Sequence, residues 1–386
     1  MLQEASWSSL LRCFRSKRTI LGPRRLKSNR STSFAIKIDH LAFADGCLEL
    51  IYGCFETMQS LMKKAAFLTA ATVLAWAPSL RPYTPHSDDL EFLLGIGHYF
   101  GRWGVWRIVG HLPAMYTNHY PFAVLGLLGH VAAVLVIYYA LSKIVGNERA
   151  LFAGTVLGTF PFGDEALLWS AAFSFVLCTA FFWAAILTRT QFWVCLLFSL
   201  LCALSNDALL ISLFLSGLLF RTIAPPLASV LYYAAWKLTA TEVWKPITHL
   251  NPRSLVSVWA YQYFPAWRVL QSWGSLWPIM LVLLGCLAVL LYRSPRTEPD
   301  WRLAVRALIL MMGASLPYVF AGGFSLEPRK EYPLLSLLLF FICSLMPVKP
   351  SRWAVAVLSV IGFASTWLLI WVRTTRQIGT SGLPEH

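Results

Sequence analysis

The chain has 386 residues, 57% of them hydrophobic and 13% charged, with 32 Lys+Arg against 18 Asp+Glu and a formal net charge of +14. Soluble globular domains carry about 25% charged residues. Half that proportion cannot solvate a surface of this size, which excludes ordinary soluble enzymes, secreted disulfide scaffolds and disordered chains. The fold expected is all-α: a polytopic transmembrane helix bundle.

Most basic residues sit in short links between apolar runs. That pattern reads as anchoring at the cytoplasmic face rather than as binding to nucleic acid. Cys178, Cys195, Cys202, Cys286 and Cys343 lie inside apolar runs, where cysteine behaves as a small hydrophobe. No cysteine spacing suggests a disulfide framework or a zinc site.

Residues 1–61 stand apart, with nine Lys/Arg, five Asp/Glu and no apolar run of spanning length. Met62-Lys63-Lys64 then precede AAFLTAATVLAWAPSL. Pro78 directly after Ala75-Trp76-Ala77 disfavours signal cleavage, so this reads as an uncleaved first span. The expectation is a poorly ordered extension over 1–61, with translation starting at Met62 or Met58. A membrane domain over 62–372 and a short extracytoplasmic tail over 373–386 follow.

Eleven apolar runs fall near 63–80, 121–141, 150–163, 167–187, 191–204, 208–220, 224–240, 276–292, 303–321, 333–347 and 353–372. A helix needs about 20 residues to cross the hydrocarbon. The stretch 191–220 is either one long helix or a hairpin broken at Ser205-Asn206-Asp207. Only the hairpin keeps Lys63/Lys64, Lys143/Arg149, Arg189, Arg221, Arg293/Arg296/Arg302 and Lys349/Arg352 on one side, as the positive-inside rule requires. This predicts about 11 spans, the N-terminus cytoplasmic and the C-terminus outside. The same parity sends Asp88, Asp89, Glu91, Asp164, Glu165, Asp207, Glu242, Glu327 and Glu331 to the extracytoplasmic side. Only Glu148, Glu298 and Asp300 fall inside.

The first outer loop, 81–120, holds four of the eight histidines, three acids and three arginines. Leu90, Leu93, Leu94, Gly97 and Phe100 follow helical spacing, with Glu91, His98 and Arg102 on the other face. The spacing predicts a helix lying in the outer interface. Asp88 and Asp89 stand where the first span emerges. Asp88 with Glu91 fits a capping-box variant. The pair also suits a general base beside a metal or phosphate ligand.

A first helix running outward into an Asp-Asp pair, within a long and partly helical loop, resembles the GT-C superfamily. These are integral-membrane glycosyltransferases that use polyprenyl-phosphate sugars, and bacterial O-antigen glucosyltransferases are among them. The resemblance rests on His86-Ser87-Asp88-Asp89 and Gly101-Arg102-Trp103. Three weaker stretches add to it: Pro161-Phe162-Gly163-Asp164-Glu165, Ser205-Asn206-Asp207-Ala208-Leu209, and Glu327-Pro328-Arg329-Lys330-Glu331-Tyr332-Pro333. Relatives often set Arg-Tyr before a Pro, whereas here Lys330 and Glu331 separate Arg329 from Tyr332.

The resemblance implies sugar transfer outside the cytoplasmic membrane from a polyprenyl-phosphate-linked donor to a glycan or lipid acceptor. Asp88 or Asp89 would be the base. Glu91, His98, Arg102, Asp164, Glu165, Asp207, Arg329, Lys330 and Tyr332 would line the substrate site. A divalent cation, Mg or Mn, would be held by Asp88 with Asp164 or Glu165. Helix-dipole, turn and anchoring roles compete for Asp164/Glu165, Asp207 and Arg329/Lys330 respectively. An ionisable group at the tip of so short a hairpin lies below the membrane surface, where it is by default a functional candidate. His130, inside a span, reads as packing or a helix–helix hydrogen bond. A transporter or flippase of lipid-linked sugars, or a polysaccharide polymerase or ligase, fits the same helix count. No GxxxxGK phosphate loop, zinc-protease motif or nucleophile elbow occurs.

Overall fold

The computed structural model describes residues 59–80, 104–105, 107–110, 120–162, 172–241, 266–320 and 328–380. The chain divides into two units, residues 1–62 and 63–386, and every element that follows belongs to the second. In chain order the helices are α1 (63–76, the part within this unit of a helical stretch 59–76), α2 (Tyr120–Ser142), α3 (Asn147–Thr159), α4 (Phe173–Leu187), α5 (Phe192–Ser205), α6 (Leu210–Phe220), α7 (Ala224–Thr239), α8 (Ala266–Trp273), α9 (Trp277–Tyr292), α10 (Trp301–Phe320), α11 (Pro328–Leu345) and α12 (Arg352–Thr380). Each of the eleven apolar runs carries one helix, and α8 is an additional short one from the aromatic segment before α9. Among the described residues there is no strand, only an isolated bridge between Arg296 and Val348. The interfacial helix expected in the first outer loop lies outside the described residues.

By length and composition, three helical stretches can cross a membrane: Ala123–Ser142, Gly274–Tyr292 and Arg352–Val372. The solvent these helices require is legible in α9. Only Met280 and Leu287 are buried on it, while Ile279, Leu281, Val282, Leu284 and Val289 are exposed. A helix apolar all round and open on most faces suits lipid and not water. The chain has the build of a helical membrane protein.

The stretch 191–220 breaks where its polar residues fall. Helices α5 and α6 are bent by 119° across Asn206, and a 3-10 turn, Asp207–Leu209, starts the second arm. At 1.5 Å per residue, α5 rises about 21 Å and α6 about 16 Å. Neither arm reaches across a hydrocarbon layer of about 30 Å. The two arms are therefore a bent pair, either one broken span or a re-entrant loop, and not two full crossings.

Small side chains let the helices approach. Ala150, Gly154 and Gly158 recur every fourth residue along α3. A Cβ on Gly154 would stand 3.1 Å from Leu68, and one on Gly158 would collide with Thr72. Such spacing is how membrane helices gain contact where lipid already supplies the apolar surroundings. Trp76 on α1 donates its indole N–H to the Gly158 carbonyl at 3.0 Å, and Thr366 on α12 donates to the Thr159 carbonyl at 2.6 Å. Further into the bundle, α4 and α11 pack together, joined by Trp183 Nε1 donating to Ser336 Oγ at 3.0 Å.

The basic links meet at one end. Arg149, at the start of α3 and 9% exposed, donates to Thr297 and to the carbonyls of Met346 at 2.6 Å, Glu298 at 3.4 Å and Val348 at 3.5 Å. Thr297 N donates to Pro347 O and Lys349 N to Pro295 O, both at 2.8 Å. Lys64 lies 3.4 Å from Glu148. Arg189 and Arg306 both approach the Phe220 ring. One guanidinium thus ties three links together. Arg149→Ala leaves buried carbonyls without their donor, at about 1–3 kcal/mol for each group left bare. Its expected result is a melting transition in detergent several degrees below wild type, with Arg149→Lys in between. An unchanged melt would show that the links are held by other contacts.

Candidate functional site

At the bend of the α5–α6 pair, Asn206 takes an extended conformation that ends α5, and it is fully buried. Its side-chain oxygen accepts from Ala208 N at 2.9 Å, capping the 3-10 turn. Its amide donates to Ser174 Oγ on α4, also at 2.9 Å. The polar break inside an apolar run is therefore internally satisfied, as buried polar groups must be. Asn206→Ala removes the cap and the amide bond to Ser174, for an expected loss of about 1–2 kcal/mol in thermal or denaturant unfolding. Asn206→Asp keeps the cap and recovers part of it.

The next residue carries the charge. Arg107 donates twice to Asp207 Oδ1, from Nη2 at 2.6 Å and from Nε at 2.9 Å. Its guanidinium also lies 5.9 Å from the Phe175 ring centroid. Arg107 comes from the first long loop, of which residues 104, 105 and 107–110 are described, with Gly110 and Val105 meeting the helices. Gly110 is so close to Ser205 and Ser174 that a Cβ there would collide with both. Val105 N donates to Thr239 Oγ1 at the end of α7, at 3.2 Å. Arg107 itself is left-handed, with φ 50°. That conformation is costly for a side chain with a Cβ and is held here by the pair it makes. The two side chains are 23% and 36% exposed, so the pair is reached from outside rather than sealed.

Helix arithmetic places the pair along the bundle. Asn206 stands about 21 Å along α5 from the basic end, and Thr239 about 24 Å along α7. The ion pair thus stands at the end of the α5–α6 pair away from the basic links. An ionisable pair among apolar helices of membrane type is costly to keep and marks a functional place more often than a structural one.

Tyr332 on α11 is fully buried, its hydroxyl 2.8 Å from His130 Nδ1 on α2. The His130 ring in turn meets Trp76 edge-on, with centroids 5.6 Å apart. The hydroxyl expected to line a substrate site is engaged in a helix–helix hydrogen bond. Asp88, Asp89, Glu91, His98, Arg102, Asp164 and Glu165 lie outside the described residues. Arg329 and Lys330 fall in the first turn of α11, with their side chains outside the described set. Arg107 is the residue that sequence reasoning did not single out, being one of three loop arginines with its partner 100 positions away. Among the described residues no three His, Cys, Asp or Glu side chains converge as a metal site, and the three acids expected to hold Mg or Mn are not among them.

The helices and this pair define an all-helical protein of membrane type with a charged site inside its bundle. Compared with known proteins, the chain matches no family model, no curated protein and no solved structure.

Proposed function

We propose that the protein transfers a sugar from a polyprenyl-phosphate carrier to a cell-envelope glycan or lipid, on the extracytoplasmic side of the cytoplasmic membrane. The reading is of a GT-C-like glycosyltransferase whose eleven apolar runs all enter the bilayer, N-terminus inside and C-terminus outside. The observation that supports it is the Arg107–Asp207 pair, a guanidinium held at the end of the α5–α6 pair away from the basic links. A polyprenyl-phosphate donor would keep its tail among the helices and bring its phosphate to this end. Arginine is the side chain that grips such a group with two parallel bonds.

In the reaction, Asp89 or Asp88 takes the proton of the acceptor hydroxyl. The oxygen attacks the anomeric carbon opposite the phosphate, and the carbon–oxygen bond to phosphate breaks with inversion. The electron pair leaves on the lipid phosphate. Arg107 meets the charge developing there, and Arg329, Lys330 and Arg102 are proposed for the same role. Asp207 holds Arg107 in position until the donor arrives. A divalent cation, if held by Asp88 with Asp164 or Glu165, would supply further positive charge to the departing phosphate.

The same pair would also serve a transporter of lipid-linked sugars, because ionisable groups inside a bundle mark transport paths too. Proteoliposomes containing the full chain, loaded with labelled polyprenyl-phosphate sugar and supplied with envelope acceptor, separate the two. Transfer gives label covalently joined to the acceptor. Label that crosses the bilayer still joined to its carrier would replace the enzyme reading with the transporter.

A further inference from the structure

A second cluster of charge lies at the opposite end of the bent pair. Arg189 from the α4–α5 link and Arg306 from the second turn of α10 bracket one aromatic ring, with their guanidinium carbons 5.5 and 5.8 Å from the Phe220 centroid. Arg221 follows directly and closes α6 in the left-handed conformation, φ 57°. Buried Ala185, Cys195 and Ala224 pack as one cluster, which sets the link before α5 beside the link after α6. The Arg189 guanidinium donates to the Ile186 carbonyl at 3.3 Å. Among the described residues neither Arg189 nor Arg306 has a carboxylate within ion-pair distance. Arginines gathered without an acid repel one another unless an anion joins them.

We infer that this cluster binds the phosphate head group of an anionic phospholipid in the leaflet at the basic end. The forked donors of Arg189 and Arg306 suit a phosphodiester, and basic recesses between membrane helices are where anionic head groups lodge. A lipid, rather than a free anion, is indicated by what surrounds the charge. Trp193 is 76% exposed, Ile223 70% and Leu218 61%, and these offer apolar surface for acyl chains beside the head group. Helix α5 begins at Phe192 and α6 ends at Phe220. One head group here would tie together both feet of the pair whose tip carries Asp207. The inference rests on the fold alone and stands whether or not sugar transfer does.

The test uses the full chain in nanodiscs of phosphatidylcholine, with or without phosphatidylglycerol, read by native mass spectrometry and thermal unfolding. Wild type is expected to retain phosphatidylglycerol preferentially and to melt about 5 °C higher with it, as a ligand of the native state does. Arg189→Gln/Arg306→Gln should lose the preference about tenfold and lose the gain in melting temperature. Arg293→Gln/Arg352→Gln removes equal charge at the same end and should keep both. If the glutamine variant does not fold, Arg189→Lys/Arg306→Lys keeps the charge without the fork and should still lose most of the preference. Equal losses in the two glutamine variants, an unchanged preference in the lysine variant, or the same stabilisation by inorganic phosphate in phosphatidylcholine discs would each overturn the lipid site.

Discussion

Replacing Arg107 with glutamine is expected to lower sugar transfer by about 100- to 1000-fold, the range for removing one preorganised donor from a developing oxyanion. The loss should fall mainly on kcat, because the phosphate gains its second unit of charge only as the anomeric bond breaks. The stability cost should be smaller. Removing one partner of a fully buried pair costs about 3–5 kcal/mol and of an exposed pair about 1 kcal/mol at most. Side chains 23% and 36% exposed lie between these limits. The exchange Arg107→Asp/Asp207→Arg separates the two roles. It restores an ion pair, so the melting temperature should return towards wild type. It also moves the guanidinium to the tip of the α5–α6 pair, so transfer should stay low. Recovery of both together would make the pair a structural clasp and nothing more.

The second large effect concerns the acids of the first outer loop. Asp88→Asn/Asp89→Asn keeps hydrogen-bonding capacity and size and removes the capacity to accept a proton. Loss of a general base costs about 100- to 10,000-fold, and the double variant leaves no neighbouring carboxylate to substitute. Asparagine still caps a helix well, so membrane abundance should match wild type. Single variants assign the base: the replacement with the larger fall in kcat marks it, and the other acid should alter KM or the dependence on added Mg. If both acids serve only as a helix cap, all three variants should retain full transfer.

Much of the architecture was legible because the bilayer imposes simple rules. Apolar run length located a helix in each of the eleven runs, though only three are long and apolar enough by themselves to cross a membrane, and Ser205-Asn206-Asp207 announced the break between α5 and α6 because three polar residues cannot sit unsatisfied inside an apolar run. Charge parity gathered the basic links at one end, where Arg149 joins three of them. The shortness of the hairpin was legible too, its runs 191–204 and 208–220 standing as helices of 14 and 11 residues, but the 119° bend between them was not. The angle depends on how Asn206 is held by Ser174 and Ala208, which composition does not show. Nor could it reveal Arg107. Its importance comes from a loop descending to meet Asp207, a contact across 100 positions with no local signature. The same holds for His130 and Tyr332, which are 202 positions apart. Tyr332 drew attention by standing near Arg329 and before a proline, but its fate is set by a histidine on another helix.

Membranes containing the full chain, supplied with polyprenyl-phosphate carrying a labelled sugar, test the central claim most directly when wild type and Arg107→Gln are compared at matched abundance. The predicted result is label covalently joined to envelope acceptor in wild type and at least about 100-fold less in the variant. Equal incorporation by the two would leave the Arg107–Asp207 pair without a part in the chemistry. No incorporation by wild type with the donor pool full would contradict sugar transfer itself.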